Sequence, residues 1–251
     1  MTGLTPPTRI NGRVLIVGAS DASGATGIQA AIKSISALGA FAAAAVTAVV
    51  TDDPATSHEV PPVAVAAQMR AALADIGADV LVIGGLSGLG VIEAVADVLD
   101  GEARGIPVVL DLTDAPEALA ATLLRLARIA LAPSEATDLK AQREASVDLA
   151  RTAGAALVTS AFRGDVLADG STLSVFPPRR GTDRPVRGSG ITLAAAVAAG
   201  LAQGLPLAAA VRRGRDYVEE AILTAPDFGR GPGPLNHVHT NRHTPAASFE
   251  S

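Results

Sequence analysis

Short apolar runs rich in β-branched residues alternate with segments whose apolar residues return at helical spacing, and the alternation persists along nearly the whole chain. The first run, residues 13–19, ends in a Gly/Ser/Asp cluster. Ile28, Ile32 and Ile35 then recur on one helical face, and Gly39 follows as a C-cap signal. Runs that are apolar throughout, rather than at every second residue, belong to strands buried on both faces, and a helical crossover is what joins such strands in parallel. Further strands are predicted at 41–50, 80–83, 108–110, 129–131 and 155–158. Helices are predicted from Pro61-Pro62 to Ile76, around Val91–Val98, and at 116–126, 135–152, 192–202 and 207–223. Residues 165–167 and 173–176 flank Ala168-Asp169-Gly170-Ser171, a hairpin signal. The fold class that follows is α/β, a central mostly parallel sheet with helices on both faces.

The 251 residues show neither a linker nor a repeat. A single domain over 13–240 is expected, with an extension at 1–12 and a flexible tail at 241–251. Composition removes several function classes. Without cysteine there is no disulfide framework, thiolate zinc site or cysteine nucleophile. A net charge of −5 and 2% aromatic residues give no basic footprint and no stacking platform, so no nucleic acid partner is expected. The apolar stretch 194–201 is too short to cross a membrane and is followed by Gln203 and Pro206. The opening residues carry no apolar signal core, so a cytoplasmic protein is the expectation.

Two loops stand out for chemistry. Gly18-Ala19-Ser20-Asp21-Ala22-Ser23-Gly24 lies at a strand's carboxyl end, where open α/β sheets bind ligands. It has neither the G-x-G-x-x-G nor the G-K-[ST] pattern, so an ordinary capped turn is the alternative. Arg187-Gly188-Ser189-Gly190-Ile191-Thr192 opens a helix, and its small residues leave the free N–H groups accessible to an anion. Asp52-Asp53 and Asp111 place carboxylates at strand ends. The first pair reads as a Mg²⁺ site or a solvated turn, and the second as a ligand-facing carboxylate or a cap. His237, His239 and His243 have a loose metal-ligand spacing but no carboxylate companion, and no metal site is assigned. Ser20, Ser160 and Ser189 lie outside any G-x-S-x-G elbow.

Taken in order, several segments resemble the hydroxymethylpyrimidine and phosphomethylpyrimidine kinases of thiamine biosynthesis. These are 14–33 (VLIVGASDASGATGIQAAIK), Ser36–Ala40, Val46–Val49, Val82–Leu86, Val108–Asp111, Gly188–Ala196 and Gly231–His237. The resemblance implies a ribokinase-like fold, a homodimer, and ATP- and Mg²⁺-dependent phosphorylation of a pyrimidine's hydroxymethyl or phosphomethyl group. It implies that Gly188, Ser189 and Gly190 form an anion hole for the transferring phosphoryl group. Gly18, Asp21, Asp52 and Gly85 fall on the substrate side, and Asp111 on the nucleotide and Mg²⁺ side.

The departures from the family fall at chemical positions. Its reactive cysteine is Ile191 here, its pyrimidine-binding glutamine aligns with Asp52, and its I-G-M-L methionine is Gly85. In its T-P-N-x-x-E-A run the asparagine is Ser134 and the glutamate Thr137, and the lysine of its K-G-G-H loop aligns with Thr159. Two readings therefore stand at the level of sequence. One is a divergent pyrimidine kinase. The other is a relative that binds a pyrimidine- or pyridine-like molecule without phosphoryl transfer.

Overall fold

The computed structural model describes residues 10–52, 55–86, 88–113, 115–179 and 185–241. In chain order the elements are β1 (Arg13–Asp21), α1 (Gly27–Ala37), β2 (Phe41–Asp52), β3 (Ala55–Glu59), α2 (Pro62–Asp75), β4 (Val80–Ile83), α3 (Leu89–Asp100) and β5 (Val108–Asp111). There follow α4 (Glu117–Leu123), β6 (Ile129–Pro133), α5 (Leu139–Thr152), β7 (Ala155–Thr159), β8 (Asp165–Asp169), β9 (Thr172–Phe176), α6 (Ser189–Ala202) and α7 (Leu207–Leu223). Among the described residues the strands form one sheet in the order β3-β2-β1-β4-β5-β6-β7-β8-β9. The six strands from β2 to β7 are parallel, while β3, β8 and β9 pair antiparallel at the edges.

The side-chain alternation of the buried strands divides the core in two. On β1, Val14 and Ile16 face the layer built by α1, α6 and α7, whereas Leu15 and Val17 face α2, α3 and α4. Val82 and Leu81 of β4 part in the same way. This is why those strands read as continuous apolar runs. Helix α6 is buried from Ile191 through Gly200, which explains its all-round apolar, alanine-rich sequence. A Cβ on Gly200 would lie 2.8 Å from the Cβ of Ala210, so glycine there permits α6 and α7 to approach closely.

The structure corrects several boundaries. β1 continues to Asp21. The helix expected from 135 starts at Leu139, because Asp138 caps it by accepting a hydrogen bond from Ala141 N at 2.8 Å. The helix expected over 116–126 ends at Leu123 and tightens into a 3₁₀ turn over Leu124–Leu126. Strand β3 was not anticipated: Ala55-Thr56-Ser57-His58-Glu59 lacks an apolar alternation, since it is an edge strand held mainly by its ladder to β2. The predicted hairpin is β8–β9, with Gly170 at φ +57° in its turn. Most of the expected extension and tail, together with Asp53 and His243, lie outside the described residues. Among the described residues no helix is long and apolar enough to cross a membrane.

Candidate active site

Sheet order reverses at β1: the chain steps outward to β2 on one side and returns to β4 on the other. The crevice at such a point opens at the strands' carboxyl ends. A cavity of about 550 Å³ lies there, within the usual range for a small-molecule site. Its apolar walls include Ile16, Ile28, Val50, Leu86 and Ile191, and its polar groups come from Asp21, Thr26, Ser57, Asp111 and Thr113. A second cavity of about 120 Å³ is lined by the ends of β5, β6 and β7, by Arg179, and by Ser189 and Gly190. Asp111 and Thr113 line both.

The loop after β1 is built around Asp21, which is 1% exposed. Its Oδ1 accepts from Ser23 N at 2.9 Å, and its Oδ2 from Ser23 Oγ at 2.6 Å and Thr26 N at 3.0 Å. The Arg187 guanidinium lies 3.9 Å from Oδ2. Burial by itself would raise the Asp21 carboxyl, but the Ser23 and Thr26 donors and the charge of Arg187 outweigh it and hold the pKa below the ordinary value. The carboxylate is thus committed to shaping the loop. Gln29 clamps the same turn, accepting from Asp21 N at 3.0 Å and donating to Ser20 Oγ at 2.7 Å. Lys33 closes it by donating to Gly24 O at 2.9 Å.

The glycines have separable tasks. Gly18 lines the large cavity, and a Cβ there would meet Gly84 O at 2.7 Å, so the residue also keeps β1 and the end of β4 in register. Gly85, at φ +67°, leaves the wall open where a side chain would project. Gly188 caps α6 at φ +86°, and a Cβ would collide with Ala25 O, so the loop after β1 and the start of α6 touch through bare backbone. A Cβ on Gly190 would lie 2.5 Å from Thr113 Oγ1 and 3.5 Å from Asp111 Oδ1. The start of α6 therefore sits directly against the Asp111–Thr113 turn, in which Thr113 N donates to Asp111 Oδ1 at 3.0 Å.

The structure thus brings Gly18, Asp21, Gly85, Asp111, Ser189 and Gly190 to the two adjoining cavities, with Gly188 as the hinge of the α6 turn. Asp52 closes β2 opposite Ala55, at the far end of the β2–β3 pair. Ile191 puts an apolar side chain, 8% exposed, into the cavity wall. Ser57, Thr26, Thr113 and Arg179 were missed by sequence reading. Ser57 sits on the strand that itself went unpredicted, and Arg179 lies in an irregular segment whose cavity partners come from several different elements. His237 is no metal ligand: it is 3% exposed, with Nε2 3.1 Å from Thr192 Oγ1 in the first turn of α6. Tyr217 OH donates to its carbonyl at 2.8 Å, and His239 Nε2 is 3.0 Å from Tyr217 O. Among the described residues no cluster of three metal-ligating side chains occurs.

The family model for phosphomethylpyrimidine kinase matches residues 21–133 and 127–236, which spans both cavities and the α6 turn. The chain belongs to the phosphomethylpyrimidine kinase family. It is 34% identical over 266 residues to the hydroxymethylpyrimidine/phosphomethylpyrimidine kinase of Streptomyces coelicolor, covering 94% of this chain and 98% of that one. It is also 34% identical over 256 residues to the enzyme of the same name from Rhizobium meliloti, covering 90% and 96%. Its fold matches the ADP complex of Bacillus subtilis pyridoxal kinase with a TM-score of 0.84 at 24% identity, over 90% of this chain and 97% of that one. The ribokinase-like architecture follows from these matches.

Proposed function

We propose that this family member transfers the terminal phosphoryl group of ATP to the hydroxymethyl or phosphomethyl group of a small pyrimidine. The observation that carries the reading is the juxtaposition of a ligand-sized apolar cavity with a phosphate-sized one, joined at Asp111 and Thr113 and closed by the Gly188–Gly190 turn. The larger cavity encloses a flat, weakly polar ring between Ile16, Ile28, Val50 and Leu86, with Ser57 and Thr26 as hydroxyl partners. The ring's exocyclic oxygen then faces Asp111 and the start of α6.

The residues present also fit the co-substrate and its metal. Ser189 and Gly190 line the small cavity, and the missing side chain at Gly190 lets the start of α6 sit against Thr113. Asp111 is one buried carboxylate at the strand end, and Mg²⁺ is ordinarily held by one or two carboxylates with phosphate oxygens and water completing its shell. When bound, the metal would neutralise phosphate charge during the transfer. Asp111 would hold it, and the free N–H groups at the start of α6 would receive the equatorial oxygens.

In the transfer, the acceptor oxygen forms a bond to the terminal phosphorus, and the bond from that phosphorus to its bridging oxygen breaks. The bridging oxygen leaves with the electron pair as ADP. Ile191 accepts no proton, so the acceptor hydroxyl loses its proton late, to an oxygen of the transferring phosphoryl group. A loose phosphoryl-transfer transition state tolerates this, because little negative charge must build on the nucleophile. The apolar contribution of Ile191 is to exclude water from the acceptor side.

The test is turnover. The protein is incubated with Mg–ATP and hydroxymethylpyrimidine or its monophosphate, and products are read by mass spectrometry. Formation of the phosphate or diphosphate is expected, with kcat falling by about 10²-fold or more in Asp111→Asn. Absence of product at high enzyme concentration overturns the reading.

A further inference from the structure

Arg179 follows β9 and Pro177-Pro178 and lines the small cavity together with Asp111. Its side chain is 14% exposed. Its Nη1 is buried and has no hydrogen-bond partner among the described residues. Its Nη2 lies 3.8 Å from Asp165 Oδ2, beyond hydrogen-bond reach. Asp165 is already engaged, because its Oδ2 accepts from Arg215 Nε at 2.7 Å and its Oδ1 from Ser160 N at 3.0 Å. Burial works against the charged form of Arg179, Asp165 and Glu219 favour it, and the like charge of Arg215 opposes it. A guanidinium does not relieve such a position by losing its proton. It needs an anion.

The cavity indicates which kind. Its volume of about 120 Å³ equals that of about four waters, enough for one tetrahedral oxyanion and too little for a nucleobase. Arg179 is the basic residue among the described lining groups, and Asp111 the acidic one. A simple carboxylate ligand would bring a like charge to the cavity that Asp111 lines. A phosphoryl group that brings a divalent cation would set the metal against Asp111 and its own oxygens against Arg179. Bidentate donation to phosphate oxygens is the geometry that a guanidinium fork serves best.

We propose that Arg179 is the phosphoryl-binding cation of this protein. The inference deepens the kinase reading and rests on it for the identity of the phosphoryl group, which comes either from the nucleotide or from a phosphorylated acceptor. Asp165 keeps Arg215 when Arg179 is replaced, so the substitution leaves no unpaired buried carboxylate.

Calorimetric binding is measured for wild type, Arg179→Gln and Arg179→Lys, with thermal unfolding of each to confirm folding. The probes are Mg–ADP, tripolyphosphate, hydroxymethylpyrimidine and hydroxymethylpyrimidine phosphate. Arg179→Gln is expected to weaken Mg–ADP and tripolyphosphate by about tenfold or more, with Arg179→Lys between it and wild type. Hydroxymethylpyrimidine itself, which occupies the larger cavity, keeps its affinity. A loss confined to the pyrimidine phosphate supports Arg179 and assigns it to the acceptor's phosphoryl group. Should Arg179→Gln not fold, the same comparison is made with Arg179→Lys. Wild-type affinity of the folded variants for every phosphorylated probe overturns the proposal, as does failure of the wild type to bind any of them. Tripolyphosphate binding that depends on Arg179, in a protein without turnover, sustains this inference while the kinase reading falls.

Discussion

Acidification gives a quantitative test of how the carboxyl-terminal segment is locked to α6. His237 is 3% exposed and lies against Thr192. Burial, reinforced by the charge of Lys33 and by His239, lowers its pKa from 6.5 to about 4. The unfolded chain therefore binds a proton that the folded chain refuses between those values. The corresponding stability is fully present above pH 6.5 and is lost as pH falls toward 4. Linkage puts the loss between pH 7 and pH 5 at about 2 kcal/mol, which is a fall of roughly 4–8 °C in Tm for a chain of this size. The assay is urea unfolding followed by far-ultraviolet circular dichroism at pH 7, 6 and 5, as the chain has no tryptophan to report by fluorescence. His237→Gln keeps an amide donor near Thr192 but cannot titrate, so it starts less stable and shows a flatter pH dependence. Replacement of His58, exposed on β3, serves as the control. Parallel curves for wild type and His237→Gln from pH 7 to pH 5 would refute the reasoning.

Three further substitutions probe the site and its support. Gly188→Ala imposes a side chain at φ +86° and drives its Cβ into Ala25 O, so a loss of about 2 kcal/mol or more is expected with a fall in kcat/KM; an unchanged Tm sinks the account of the α6 turn. Arg215→Met strips the fully buried Asp165 of its 2.7 Å partner, leaving Ser160 N and the more distant Arg179, and is expected to cost about 3 kcal/mol in chemical unfolding, the low end for breaking a buried pair. Ile191→Cys sets a thiol in the wall of the larger cavity; because proton loss comes late, kcat is expected to change by less than about tenfold with increasing pH, and a larger rise would show that proton removal limits the reaction.

The parallel core was legible because each strand is buried on both faces, so Arg13–Asp21, Val80–Ile83 and Val108–Asp111 carry their burial in composition alone. β3 was not, because an edge strand such as Ala55–Glu59 is fixed by pairing and leaves no apolar pattern. The site divided along similar lines. Gly188-Ser189-Gly190 and Asp111 announce themselves as a glycine turn and a strand-end carboxylate. What Asp21 does was hidden, since only the coordinates show its oxygens held by Ser23 and Thr26. His237 has only a loose metal-ligand spacing in sequence and is a buried ring against Thr192, a placement that spacing does not encode. Arg179 shares its cavity with Asp111, which lies dozens of residues earlier in the chain, and no local pattern encodes that meeting.

The pattern of retained and altered positions fits the energetics of phosphoryl transfer. Positioning and charge neutralisation supply most of the rate enhancement, and an acceptor base is a smaller contribution. Replacement of the family's cysteine by Ile191 removes the smaller contribution and leaves the packed turn intact, where a Cβ on Gly188 would disturb the loop after β1 and one on Gly190 the Asp111–Thr113 turn. Where the family's lysine aligns, Thr159 lines the same small cavity that Arg179 enters from another element. A positive charge supplied from a different segment can neutralise the same phosphoryl oxygens, since Coulomb attraction depends on distance and dielectric and not on chain position. A double substitution separates this from coincidence. Thr159→Lys alone is expected to add little to turnover while Arg179 is present, because the cavity already holds one cation. In the Arg179→Gln background the same lysine is expected to restore a large part of the lost kcat/KM. Equal effects of Thr159→Lys in both backgrounds would show that the two positions do not share a task.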